Sequence, residues 1–377
     1  MISEGRETKP MKTLAAVHRS GETTLSLETL RIASPRANEV LVDIVGSGIC
    51  HTDVGVIATD DAGPIVLGHE GSGVVRQIGA DVTTLTPGDH VVLSFNHCGT
   101  CDNCVAGVPG HCRTFVASNL TGSRVDGSTP LTTEEGDPVR GHFFGQSSWS
   151  HTVVTTEWNC VKVDKDLPLE LLGPLGCGIQ TGAGAVLNTL NPEPDSSIAI
   201  FGAGSVGMAA ILGAVVAECA MIIAVDIDHG RLEAARELGA THTIDSSTTD
   251  PVDEIRRLTG GYGARYSVEC IGLPTVVKAA VECLQSPGVC ASVGFQGATN
   301  NVTIDQGHLL FGRTLVGVIE GGAVPTEFIT RMISLYQAGK FPFDRLIETF
   351  PFGEINAALE AVHKGSVVKA VLTMGGV

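Results

Sequence analysis

Ser196-Ser197-Ile198-Ala199-Ile200-Phe201-Gly202-Ala203-Gly204-Ser205-Val206-Gly207 is the stretch on which the fold turns. A mostly apolar run enters G-x-G-x-x-G, and a helical pattern from Ser205 to Ala217 follows. Gly202 permits the turn, Gly204 lets the backbone approach a pyrophosphate, and Gly207 lets the helix pack on the strand. Around Val206 the helix start then faces the phosphates with free N–H groups and a partial positive charge. Asp226 ends the next strand candidate, 19 residues past Gly207. A carboxylate there accepts hydrogen bonds from ribose hydroxyls and repels a 2′-phosphate, which favours NAD over NADP.

Outward from this motif, strands alternate with helical patterns. The strand candidates are Ser196 to Phe201, Met221 to Asp226, His242 to Asp245, Arg265 to Cys270, Val289 to Val293 and Thr314 to Ile319. With helices such as Ser205 to Ala217 and Gly230 to Leu238 between them, they predict a doubly wound parallel sheet in an α/β protein. Before residue 180 the texture differs. Val40 to Val45 and His90 to Leu93 read as short strands, and Pro87-Gly88-Asp89 as a turn. Residues 118–141 are polar and rich in Gly and Pro, which predicts a surface loop. After Glu320 the pattern is helical over Thr326 to Gln337 and Glu354 to His363, and a last strand spans Val367 to Leu372. That tail is expected to return to the first part, making the parallel sheet an insert.

The 377 residues carry 43% hydrophobic and 17% charged side chains, a globular composition. Glycine supplies 47 positions without a collagen period, so tight turns and close backbone approaches are expected. A net charge of −17 makes the chain a poor partner for nucleic acid or anionic membranes. No apolar run reaches the ~18 residues of a membrane helix. Met1 to Pro10 lacks an apolar core and reads as a disordered extension rather than a secretory signal. The 11 cysteines are therefore expected in a reducing cytoplasm, where clustered thiols more often bind metal than form disulfides.

Cys98, Cys101, Cys104 and Cys112 spell C-x2-C-x2-C-x7-C. Four thiolates in one loop can close a tetrahedral zinc site, which orders the loop and does no chemistry. The first three spacings also fit an iron–sulfur run, but there the fourth cysteine follows three residues and precedes proline. Here it follows seven and precedes Arg113. The remaining candidates are scattered: Cys50 in Gly48-Ile49-Cys50-His51-Thr52-Asp53, His69 and Glu70 in Gly68-His69-Glu70-Gly71-Ser72-Gly73, and Cys177 in Leu175-Gly176-Cys177-Gly178. Spacing does not unite them, and each alone reads as a buried cysteine or a satisfied histidine. Chemistry gives a reason to group them: two thiolates and one imidazole leave a fourth position open on zinc.

These motifs, in this order, resemble those of the zinc-dependent medium-chain alcohol dehydrogenases, from about Lys12 to the C-terminus. The resemblance implies a GroES-like catalytic domain (1–180 and 321–377) with a Rossmann NAD-binding domain (181–320) inserted. It implies NAD, two Zn2+ per chain, and a homodimer or homotetramer. Cys50, His69 and Cys177 resemble the catalytic zinc ligands, and Glu70 an alternate ligand. Asp53 resembles the carboxylate that orients the histidine, and Thr52 the hydroxyl that takes the alcohol proton. His51, Arg231 and Lys369 resemble basic cofactor contacts. One departure stands out: the histidine that ends the better-known proton relay is replaced by Gly55. The last proton step is then left to the ribose, His51 or water.

Leu93-Ser94-Phe95, Phe143-Phe144-Gly145-Gln146, Ile319-Glu320-Gly321-Gly322 and Lys340-Phe341-Pro342-Phe343-Asp344 resemble the aryl-alcohol branch, which also takes allylic alcohols. Phe95 and Phe144 either line an apolar pocket or fill the core. An S-(hydroxymethyl)thiol dehydrogenase and a general aliphatic alcohol dehydrogenase are the alternatives within the class. A zinc-free reductase of the same fold is expected to lack the ligand cysteines. A non-catalytic dinucleotide-binding protein has no use for an open zinc site.

Overall fold

The computed structural model describes residues 11–297 and 299–375. The expected extension, Met1 to Pro10, lies outside the described residues. Three sheets organise the described residues.

The six-stranded sheet is parallel throughout. Its spatial order is His242–Asp245, Met221–Asp226, Ser197–Phe201, Ala264–Glu269, Leu284–Ser292, Arg313–Gly317. Counted along the chain this is 3-2-1-4-5-6, the order whose reversal beside the first strand opens a crevice at the carboxyl ends. Ile198, Ala199, Ile200 and Phe201 are all buried because helices cover both faces, which is why the strand reads as an unbroken apolar run.

A seven-stranded sheet carries the other half of the site. Its path runs Cys160–Val163, His90–Leu93, Gly71–Ile78, Glu39–Gly48, Lys369–Thr373, Ile347–Pro351, with Thr152–Thr156 also paired to Glu39–Gly48. The last described strand, Lys369–Thr373, thus pairs antiparallel with Glu39–Gly48, Val371 opposite Gly48, and the tail returns to the seven-stranded sheet. The third sheet joins Ile65–Val66, Met11–His18, Ser26–Ile32, Leu131–Thr132 and Pro138–Val139.

Residues 118–141 correct one expectation. They are not simply a surface loop: Leu131–Thr132 and Pro138–Val139 extend the third sheet, and buried Arg124 ion-pairs with buried Glu39. The polar composition concealed pairings whose partners lie elsewhere in the chain.

The largest apolar cluster spans the junction between the sheets. Val92, Leu172 and Leu175 pack in one body with Ile198, Met208, Phe328 and Phe343. Within it the helix Gly178–Gly184 lies directly on the helix Ser205–Val216. Gly182 is the point of approach: a Cβ there would lie 1.9 Å from the Val206 carbonyl oxygen. This contact fixes Cys177, which caps the first helix, relative to the glycine turn, which begins the second.

Candidate active site

Cys50 caps the helix His51–Thr59, and its backbone N–H is accepted by Asp53 Oδ2 at 3.1 Å. Asp53 Oδ1 accepts the Gly68 N–H at 3.0 Å and meets His69 Nδ1 at 2.9 Å. One buried carboxylate thereby ties the helix start to the turn that carries the histidine. With Nδ1 donating to Asp53, His69 Nε2 is left buried with no partner among the described residues. That orphaned nitrogen lies in a group with Cys50, Glu70 and Cys177 whose donor atoms are all within 4.8 Å of one another. Residues nineteen and 108 positions apart in sequence are thus brought to one point.

Electrostatics agree with a cation at that point. A hydrogen bond from Cys177 holds the Cys50 thiol well below its ordinary value, and the same contact pushes Cys177 up. The two sulfurs converge on one point, which suits a metal held between two thiolates. Burial opposes a charge on His69, yet Asp53 and Cys50 outweigh it and hold its pKa well above the usual range. Burial raises the Glu70 carboxyl, and Lys369 works against that. Two thiols, an unpartnered imidazole nitrogen and a nearby carboxylate fit zinc with one position open.

The second cluster, Cys98, Cys101, Cys104 and Cys112, also has its four sulfurs within 4.8 Å. Backbone N–H groups of Thr100 and Cys101 hold the Cys98 thiol down to about 6. Burial pushes Cys104 up to about 12. A loop that turns its amides toward sulfur, with four sulfurs converging, fits a closed structural zinc.

The glycine turn has the form a dinucleotide needs. Gly202 sits at φ +91, which favours glycine, and a Cβ on Gly204 would meet nothing within 4 Å. That open face borders the start of the helix Ser205–Val216, where the Val206 amide also lies, and the buried Ser205 Oγ has no partner among the described residues. Gly207 packs under the turn, its would-be Cβ 1.7 Å from Gly202 O. Asp226 Oδ2 accepts Ala203 N–H at 2.6 Å, while Oδ1 accepts the N–H groups of Ile227 and Asp228 at 2.8 and 2.9 Å. The acidic residue therefore fastens the turn as well as marking the end of its strand.

The remaining site candidates fall in different places. Thr52 is half-buried, its Oγ1 3.8 Å from Cys50 Sγ, and His51 is exposed. Arg231 lies in the first turn of the helix His229–Glu237 and reaches toward Gly365. Lys369 is only 2% exposed and gives its ammonium to both Glu70 oxygens, at 2.9 and 2.8 Å, and to Ile49 O at 3.1 Å. Phe144 stacks on His69 with ring centroids 4.4 Å apart, whereas Phe95 packs against His97 and Phe115. Sequence reasoning gave Glu320 no role at the site, although its buried carboxylate lies 3.9 Å from Cys177 Sγ and burial pushes it up to about 7. The available signal was an acidic residue followed by two glycines just past a strand, a turn that presents a carboxylate.

A parallel nucleotide sheet beside an open thiolate–imidazole site defines a metal-assisted dehydrogenase. Comparison with known proteins agrees. Residues 36–165 match the alcohol dehydrogenase GroES-like domain, and residues 205–338 match the zinc-binding dehydrogenase domain. Geraniol dehydrogenase of Castellaniella defragrans is 46% identical over 364 residues, covering 95% of this chain and 96% of that protein. Alcohol dehydrogenase class-3 of Myxine glutinosa is 35% identical over 372 residues, covering 96% and 97%. The crystal structure of benzyl alcohol dehydrogenase from Acinetobacter calcoaceticus superposes with TM-score 0.93 at 43% identity, covering 97% of this chain and 100% of that one. The chain belongs to the zinc-binding medium-chain alcohol dehydrogenases, and its cofactors are NAD and zinc.

Proposed function

We propose that the chain oxidises primary aromatic or allylic alcohols to aldehydes, reversibly, with NAD as the hydride acceptor. The observation that carries this reading is the aromatic wall at His69. Phe144 stacks on the imidazole, Phe143 meets it edge-on at 5.6 Å, and Phe115 packs on Phe144 at 6.3 Å. A flat apolar group beside the carbinol carbon matches such a wall in shape and polarity. The names of two relatives, a geraniol and a benzyl alcohol dehydrogenase, support the same substrate class.

When bound, zinc supplies Lewis acidity toward the alcohol oxygen, and NAD supplies the hydride acceptor. Cys50, His69 and Cys177 hold the catalytic metal in this reading, with Glu70 as a spare carboxylate and Asp53 orienting the imidazole. Thr52 takes the alcohol proton and passes it on by the ribose, His51 or water, since Gly55 has no side chain to receive it. Cys98, Cys101, Cys104 and Cys112 hold the structural zinc. Gly202, Gly204, Val206, Gly207 and Asp226 receive NAD, with His51, Arg231 and Lys369 as the basic residues around it.

We also propose the domain division 1–180 plus 321–377 against 181–320. Self-association into a homodimer or homotetramer is supported by the exposed edge strand Arg313–Gly317 and its apolar neighbours. Eleven unpaired cysteines support a reducing, cytoplasmic setting. No helix among the described residues is long and apolar enough to cross a membrane.

The test is a rate panel read at the NADH absorbance. Benzyl, cinnamyl and geranyl alcohols are expected to exceed short aliphatic alcohols in kcat/KM by about ten-fold or more. Equal values across the panel would remove the substrate assignment. A hydroxymethylated thiol that outpaced all of them would move the chain to the thiol-adduct class.

A further inference from the structure

The mechanism above gives no part to the buried Glu320, although it faces a metal ligand. Glu320 begins a short turn, Glu320–Gly322, just past the edge strand Arg313–Gly317. It holds φ +50, a left-handed conformation that a glutamate adopts only where its surroundings impose it. The surroundings here are explicit. A Cβ on the next residue, Gly321, would lie 2.2 Å from Gln180 O, so the turn is pressed onto the helix Gly178–Gly184 with no slack.

This placement buries the carboxylate to 6% exposure. Oε2 accepts from Gln180 Nε2 at 3.1 Å, and Oε1 faces Cys177 Sγ at 3.9 Å. Gln180 Nε2 also donates to Ser94 Oγ at 3.0 Å and Gly176 O at 2.9 Å, so the amide is fixed. Among the described residues Glu320 forms no ion pair with lysine or arginine, in contrast to Glu70, which Lys369 neutralises. Glu320 therefore stands beside Cys177 without a lysine or arginine of its own.

The topology says what stands beside it. The second half of the six-stranded sheet, Ala264–Glu269, Leu284–Ser292 and Arg313–Gly317, receives the second nucleotide of a dinucleotide at its carboxyl ends. The redox ring must also reach the metal ligands for hydride transfer, and Cys177 lies at that end. Glu320 follows the last of these strands and faces Cys177, so it stands on both sides of that requirement.

We propose that the Glu320 carboxylate is the counter-charge for the oxidised nicotinamide ring and sets the relative affinity for NAD+ and NADH. Two thiolates already balance the charge of a zinc dication, so the further negative charge is available to the ring. Hydride transfer places two electrons and a proton on the ring and removes its positive charge. The carboxylate thus favours the oxidised cofactor and loses its partner when the reduced one forms. The inference rests on NAD-dependent alcohol oxidation at this site and is independent of which alcohol is used.

The test compares wild type, Glu320→Gln and Glu320→Asp as zinc-loaded proteins without alcohol. NAD+ affinity is read by quenching of intrinsic fluorescence, and NADH affinity by the cofactor's own emission. In Glu320→Gln the ratio Kd(NADH)/Kd(NAD+) is expected to fall roughly ten-fold, with NAD+ bound more weakly and NADH more tightly. Glu320→Asp is expected to retain most of the wild-type ratio. An unchanged ratio, or two affinities that fall together, overturns the proposal. So does loss of zinc or of the fold in Glu320→Gln, since the carboxylate would then serve structure. A wild type that binds neither cofactor overturns instead the dehydrogenase reading beneath it.

Discussion

Asp53 meets three partners with two oxygens: the Cys50 N–H, the Gly68 N–H and the His69 ring. It sets both the position of a metal ligand and its tautomer. Asp53→Asn is expected to weaken the catalytic zinc by about 10- to 100-fold, measured by competition with a chelator. Retained affinity would mean the turn holds the histidine without it. Thr52 makes a different prediction because it lies beside the cluster and outside it. Thr52→Ala is expected to lose most turnover while keeping two zincs per chain and NAD binding. Unchanged kcat would remove the hydroxyl from the proton path. His142 concerns stability alone. It is buried, neither ring nitrogen has a partner among the described residues, and burial, aided by Arg124, pulls its pKa down from 6.5 to about 4. The folded chain then refuses a proton that the unfolded chain accepts. Stability is therefore lost as pH falls from about 6.5 toward about 4, by at most about 1.4 kcal/mol per unit. His142→Leu is expected to flatten that part of the profile in denaturant titrations. A profile parallel to wild type would refute the assignment.

At the scale of elements, the four-cysteine loop contains only short helices, Asp102–Val105 and Pro109–His111, too brief to be stable by themselves. Its order is expected to come from the metal. Cys104→Ser should remove one zinc per chain and lower Tm by about 5–10 °C, read by metal analysis and thermal denaturation. Two zincs and an unchanged Tm would show that the sulfur is no ligand. The same contrast between local and distant information explains what could be read beforehand. The cysteine loop and the glycine turn lie within a few residues of sequence, so spacing alone expresses their geometry. The strands of the parallel sheet are buried on both faces and read as apolar runs. Cys50, His69 and Cys177 are united only by the fold, and family resemblance, not spacing, grouped them. Leu131–Thr132 was hidden because its partner strand is Ser26–Ile32. Glu320 was missed for the same reason, since the sulfur it faces is 143 residues away.

Across the whole molecule, the charge of −17 disfavours like-charged association except where an apolar surface outweighs it. One such surface is evident. Among the described residues the strand Arg313–Gly317 ends the parallel sheet with one side unpaired, and Leu310 and Phe311 just before it are 72% and 69% exposed, with Leu309 half-exposed. An open edge beside a cluster of large apolar side chains is a template for pairing, and a stable protein covers it. A second copy is well suited, because a two-fold axis lets the same edge meet itself. The double substitution Leu310→Asp and Phe311→Asp places two charges in that patch without touching either cysteine cluster. Light scattering after size exclusion is expected to give at least twice the 39.1 kDa chain mass for wild type and the single-chain mass for the variant. Both proteins should retain two zincs, which separates loss of assembly from loss of fold. An assembled variant would place the interface elsewhere on the surface, and a monomeric wild type would leave this edge to be covered by something other than a second copy.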